Sequence, residues 1–164
     1  MGRADRRGGG LLAAVALLAL ALLVAPHAGQ SLGKLLGTLP QPAPSAAAGR
    51  AVAFARGQLG KPYAWGAEGP GAFDCSGLTW AAWRAAGVVI PRTAAGQLTG
   101  LPRVRGRLQP GDLVIYPSRG PSGRHVAMVV GRGRMVEALG REIPVRSTRL
   151  RGGWLGAVRP RAGP

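Results

Sequence analysis

One cysteine, Cys75, serves the whole 164-residue chain, so no internal disulfide can staple the fold. Histidine is nearly as scarce, at two residues, and lysine too, at 2 against 20 arginines. One cysteine, two histidines and dispersed acids do not make a metal-ligand set, so no metal is expected. No phosphate-cradling nucleotide loop is present either, and no cofactor is expected. The arginines are scattered rather than striped and no recognisable binding motif accompanies them, which argues against a nucleic-acid partner. Acids number six, and the resulting net charge of +16 favours an anionic partner and long-range attraction toward it. Heavy Ala, Gly and Pro usage beside the arginines is also what a biased genomic base composition produces.

The one long apolar run, Leu11 to Val24, follows Arg3, Arg6 and Arg7. It is shorter than the roughly 20 residues a helix needs to cross a bilayer and fits a signal-peptide core. Residues 1–28 are therefore expected to be a signal peptide, with cleavage between Ala25 and Gln30 and no stable membrane span afterwards. Pro26 spoils a sharp Ala-x-Ala site, which leaves an uncleaved anchor as the alternative. No cysteine lies just after the run, so lipoprotein processing has no acceptor. Removal of the leader leaves a charge of +14 by the same counting. Residues 29–49, with Pro40, Pro42, Pro44 and a short alanine stretch, read as a flexible linker.

The compact part is expected over residues 50–158. Ala51, Val52, Phe54, Ala55 and Leu59 form an apolar helical face that Gly60 ends. A glycine-rich loop follows, and Asp74 is placed to cap a second helix from Cys75 or Ser76 to Ala86, with Gly87 as its stop. Thr93 caps a third, shorter piece through Leu98. Strands are expected at Leu113–Tyr116, His125–Val130, Arg134–Ala138, Ile143–Val145 and Trp154–Val158. Helices first and an antiparallel sheet afterwards define an α+β domain, with residues 159–164 as a disordered tail.

A lone cysteine is often inert core material. Cys75, however, opens a helix, where unpaired N–H groups and the helix dipole favour a thiolate. His125 is the only histidine beyond the leader, and a thiol nucleophile needs an imidazole to take its proton and later return it to a leaving amine. A third group should orient that imidazole. Of the five acids remaining, Asp74 is occupied as a cap, Asp112 by its own turn, and Glu68 lies in the glycine-rich loop. Glu137 interrupts an apolar strand beside the one carrying His125, although an edge-protecting role would also suit it. Register decides between the two. A strict two-residue turn at Arg132-Gly133 puts Glu137 opposite Met128 and off the face of His125, whereas a one-residue bulge restores the shared face.

Four segments carry a resemblance. Gln58-Leu59-Gly60-Lys61-Pro62-Tyr63-Ala64-Trp65-Gly66, Phe73-Asp74-Cys75-Ser76-Gly77-Leu78, Leu108-Gln109-Pro110-Gly111-Asp112-Leu113 and His125 to Gly131 resemble, in order, the NlpC/P60 family of cell-wall cysteine peptidases. The resemblance implies a papain-like fold, N-terminal helices packed on a small antiparallel sheet. It implies Cys75 as nucleophile, His125 as base and Glu137 at the third polar position, where many relatives carry histidine. It also implies Tyr63 as oxyanion support, and Asp74, Ser76 and Arg92 as substrate-positioning residues. Gly71-Ala72 departs from the polar residue often found before Phe-Asp-Cys. The implied substrate is the peptidoglycan stem peptide, cut between D-isoglutamate and a diamino acid such as meso-diaminopimelate, by a secreted or wall-associated bacterial enzyme. Anionic wall polymers are a further expected partner. The alternatives are a wall amidase or acyltransferase on the same fold, or a non-catalytic basic wall-binding protein.

Overall fold

The computed structural model describes residues 45–161. The expected signal peptide, most of the expected linker and residues 162–164 lie outside the described residues. Helix α1 spans Ala46–Gly57, with Ser45 as N-cap accepting the Ala48 N–H at 3.1 Å. It starts before the expected boundary, because the alanines grouped with the linker form its first turn. Ala48, Ala51, Val52 and Ala55 are its buried face, a helical period of small residues that admits close packing on α2. Helix α2, Cys75–Ala85, buries Leu78, Ala82 and Trp83. Gly87, at φ 80°, ends it in the left-handed conformation that glycine adopts without strain. The short α3, Ala94–Gly100, is capped by Thr93.

Strands β1 (Leu113–Pro117), β2 (Arg124–Gly131), β3 (Arg134–Glu137), β4 (Arg146–Arg149) and β5 (Gly156–Val158) form one antiparallel sheet in the order β4-β3-β2-β1-β5. Alternation divides its side chains. Leu113, Ile115, Val126, Met128, Val130 and Val136 pack in the main core with the helices. Val114, Tyr116, Ala127, Val129 and Met135 form a second cluster, covered by Val104, Leu108 and Leu150 from loops.

Two expectations are displaced. The fourth strand lies at the polar edge segment Arg146–Arg149 and not at Ile143–Val145, where Ile143 makes only an isolated bridge to Gly140. Apolar residues drew the expectation to 143–145, but an edge strand with half-buried faces needs few of them. At the other end of the domain, Arg159 and Pro160 are not a frayed tail. The Arg159 N–H donates to the Pro102 carbonyl at 2.9 Å, its side chain is tied to Asp112, and Pro160 is buried.

The turn between β2 and β3 settles the register. Arg132 and Gly133 do form a two-residue turn, both at positive φ (52° and 65°), and Gly131 pairs with Arg134. The ladder then shifts between Val129 and Gly131, so that Met128 faces Val136. Val130 is the extra residue of a bulge. Glu137 consequently falls on the same face as His125.

Candidate active site

Cys75 is the first residue of α2 and lies almost buried, at 9% exposure. Its N–H, in the first turn, has no intrahelical acceptor. The helix start is held by Asp74, whose Oδ1 accepts the Gly77 N–H at 2.5 Å and the Ser76 hydroxyl at 3.2 Å, while Oδ2 accepts the Gly66 N–H at 2.9 Å. Gly77 is required here, because a Cβ would collide with the Ala67 carbonyl oxygen. Buried Gln97 ties α3 to the same turn by donating to the Ser76 carbonyl at 3.2 Å.

Arg92 fastens this end of the groove. It donates to Asp74 Oδ1 and Oδ2 at 3.1 and 2.9 Å, to the Ser76 hydroxyl at 3.0 Å and to Glu68 at 2.7 Å. Burial works against the cation, but the bonds to Asp74 and Glu68 outweigh it and raise the guanidinium above its ordinary value. Glu68 is exposed, so the pairing that matters for stability is the one to buried Asp74. Arg92→Ala is expected to cost about 1–3 kcal/mol by stripping charge-assisted bonds from that carboxylate, read as a lower midpoint in denaturant unfolding.

His125, the second residue of β2, is 5% exposed. Its Nε2–H donates to Glu137 Oε2 at 2.9 Å, which leaves Nδ1 as the ring's acceptor nitrogen. Burial pulls the imidazole pKa down, but the influence of Cys75 and Glu137 outweighs it and raises the value overall. Tyr116, paired with His125 across β1 and β2, stacks on the ring with centroids 6.3 Å apart.

Glu137 is fully buried and accepts from three side chains. Arg146 donates twice to Oε1, at 3.1 and 3.0 Å, and Arg151 donates to Oε1 and Oε2 at 3.1 and 2.8 Å. Burial alone would raise this carboxylate. His125, Arg151 and Arg146 together hold it well below the usual carboxylate range. Arg151 also lies over the Tyr116 ring, 4.9 Å from its centroid, and accepts the Tyr116 hydroxyl on its carbonyl at 2.9 Å. Tyr116, His125, Glu137 and Arg151 thus close a cycle in which each member restrains the next.

Tyr63 is half-buried. Burial raises its phenol pKa, reinforced by Cys75 and Asp74 and opposed by Arg141, so the hydroxyl stays protonated and able to donate. Two clefts meet at exposed Trp65. One, of about 310 Å³, runs over Cys75, Asp74, Ser76, Arg92 and Glu68. The other, of about 440 Å³, is lined by Tyr63, Pro121, Leu139 and Arg141. Trp65 is common to both walls, and Cys75 lines the first of the two. A third cleft of about 440 Å³, beside Trp83 and Pro110, is remote from these groups.

Residues 60–155, more than half of the chain, match the model of the NlpC/P60 family. The chain belongs to the NlpC/P60 family. A probable endopeptidase of Corynebacterium glutamicum is 43% identical over 107 residues, which cover 64% of this chain and 50% of that protein. The probable endopeptidase p60 of Listeria monocytogenes is 41% identical over 88 residues, 53% of this chain and 18% of that one. The chain thus spans about half the length, or less, of these relatives. Among solved structures, the peptidoglycan hydrolase RipB of Mycobacterium tuberculosis superposes with a TM-score of 0.57 at 34% identity, over 79% of this chain and 77% of that one. An NlpC/P60 protein of Bacillus cereus gives 0.63 at 31% identity, over 73% and 41%. The papain-like α+β fold is therefore that of NlpC/P60 proteins.

The seven residues singled out in the sequence fall into two linked groups of this NlpC/P60 domain. Tyr63, Asp74, Ser76 and Arg92 surround Cys75, and His125 carries Glu137 behind it. Arg146, Arg151 and Tyr116 were missed. Arg146 pairs opposite Glu137 in β4, a relation invisible while the fourth strand was placed at residues 143–145. Tyr116, the cross-strand partner of His125, could have been found from the hairpin register alone.

Proposed function

We propose that the chain is a secreted peptidoglycan endopeptidase that hydrolyses stem-peptide amide bonds through a Cys75 thiolate. The observation that carries this reading is the buried His125–Glu137 pair, bonded at 2.9 Å, in a domain whose one cysteine opens a helix. The family's hydrolase relatives support the substrate class. In the first half-reaction, His125 takes the Cys75 proton and the sulfur attacks the amide carbonyl carbon. The Tyr63 hydroxyl and the Cys75 N–H support the oxyanion. The intermediate collapses as His125 gives its proton to the departing amine, leaving a thioester on Cys75. Water, deprotonated by His125, then attacks that thioester and releases the peptide carboxylate and the thiol.

Glu137 holds the imidazole in the tautomer and orientation these transfers need, and it stabilises the imidazolium between them. Asp74, Ser76 and Arg92 shape the groove on one side of the sulfur. Residues 50–158 are the catalytic unit in this reading, residues 1–28 export it and residues 29–49 tether it. The preferred bond is D-isoglutamyl to the diamino acid. Mass analysis of fragments released from purified wall is expected to show new D-isoglutamate carboxyl ends matched by new diamino-acid amino ends. Release of intact stem peptides from glycan would instead assign an amidase.

A further inference from the structure

Two short arginine clusters, Arg103-Arg105-Arg107 and Arg159-Arg161, are brought together by the fold at one place outside the catalytic groove. A cleft of about 260 Å³ is lined by Arg103, Arg105, Arg107, Arg159 and Arg161, with no acid and no aromatic residue in its walls. One carboxylate, Asp112, sits behind them, and it is spent on Arg159, with contacts of 2.7 and 2.8 Å. Arg103, Arg105, Arg107 and Arg161 make no salt bridge among the described residues. The site is built on a pinned backbone. Arg103 bridges to Val158, the Val104 N–H donates to the Ala157 carbonyl at 2.9 Å, and Arg159 donates to the Arg107 carbonyl at 3.1 Å. The segment is thus stitched along the outer edge of β5, where the Arg103 guanidinium lies against Gly156 and Arg159 is tied to Asp112, and Arg105, Arg107 and Arg161 complete the arginine lining of the hollow. Like charges brought together without counter-charge cost stability unless an anion joins them.

The place also matters. Asp112 directly precedes β1, whereas Tyr116 and His125 pair near the far end of that strand, about 13 Å away at strand rise. A chain held in the arginine cleft therefore leaves the groove over Cys75 open. We propose that this cleft docks a phosphodiester-linked wall polymer, which holds the enzyme on its insoluble substrate. This rests on the reading that the chain works at the bacterial wall. Guanidinium forks bind phosphate oxygens in pairs, and several in one hollow suit a polymer with repeated phosphates better than a single anion. Nucleic acid fits less well: the walls offer no aromatic platform for bases and no helix or ribbon to enter a groove. A lipid surface fits less well too, since Val104 is the one large apolar side chain in the lining.

The test is binding of purified poly(glycerol phosphate) to the wild-type chain and to two charge-matched triple variants. One carries Arg105→Gln, Arg107→Gln and Arg161→Gln in the cleft. The other carries Arg84→Gln, Arg132→Gln and Arg149→Gln, exposed positions away from it. The cleft variant is expected to bind at least about tenfold more weakly, and its log–log salt dependence to be shallower by about two, at ~0.7 per charge contact of a flexible polyanion. It should also sediment less with intact wall than the other variant, and the difference should vanish on wall stripped of phosphodiester polymer. Equal weakening in both variants would reduce the effect to net charge and overturn the proposal. Equal or tighter wild-type binding to single-stranded or duplex DNA would overturn the assignment to a wall polymer. Turnover of a small soluble stem peptide is read in parallel and should be equal in all three proteins. Its absence from the wild type would count against the peptidase reading, while the polymer measurement stands by itself.

Discussion

Cys75→Ala is expected to abolish amide hydrolysis, a loss of about 10⁴-fold or more, since no other side chain in the groove can form the thioester. Asp74, Ser76 and Arg92 do not depend on the sulfur for any of their bonds, so the groove should persist. Truncating one small side chain with 9% exposure at a helix start should leave the fold intact. The variant should therefore sediment with purified wall as the parent does while releasing no fragments. Measured side by side, turnover and sedimentation separate a thiol peptidase from a basic wall-binding protein. Undiminished fragment release by the alanine variant would reject Cys75 as nucleophile.

The second large effect is expected at Glu137. Glutamine keeps the shape but replaces an acceptor oxygen with an N–H₂ group, in a site where His125, Arg146 and Arg151 all donate. Some donor must then face a donor, and the imidazole loses the group that fixes its tautomer. Activity should fall by about 10²- to 10⁴-fold, the upper figure being that of an amide in place of the carboxylate in serine-protease triads. Stability should fall by about 1–3 kcal/mol, because Arg146 and Arg151 are roughly 40% exposed and can turn to water. A merely structural glutamate would lose stability without altering pH behaviour.

The pH dependence distinguishes these roles. The folded imidazole pKa is raised, so this pairing contributes stability that is fully present below the unfolded value and is lost as pH rises through the folded one. The alkaline limb of kcat/KM, where the imidazolium partner of the thiolate loses its proton, should accordingly move to lower pH in Glu137→Gln. Glu137 itself behaves in the opposite sense. Its folded pKa is depressed, so its contribution is present above the ordinary carboxylate range and is lost progressively as pH falls toward the much lower folded value. An unmoved alkaline limb would leave Glu137 without a part in the proton transfers.

Local signals in the sequence reached much of this site because the chemistry there is local. Asp74 followed by Cys75 and apolar residues at helical spacing (Leu78, Ala81, Ala82, Ala85) defines a capped helix, and the capping bond forms within four residues of chain. The hairpins were legible in the same way, from alternation and turn glycines. The edge strand β4 was not, because it has almost no apolar periodicity, and its polar sequence Arg146–Arg149 is held by pairing with β3. The loss of β4 hid Arg146.

By itself the sequence determined the element order, the family resemblance and the choice of Cys75 and His125 as candidates, since each depends on residue type and short spacing. Tertiary structure alone decided whether Glu137 reaches His125. One extra residue at Val130 turns every later side chain of β3 to the opposite face, and no composition rule specifies which residue bulges. It likewise decided that Arg146 and Arg151, nine and fourteen residues beyond Glu137, converge on one buried carboxylate. The same holds for bringing Arg159 and Arg161 beside the alternating Arg103, Arg105 and Arg107, a juxtaposition set by the pairing around β5.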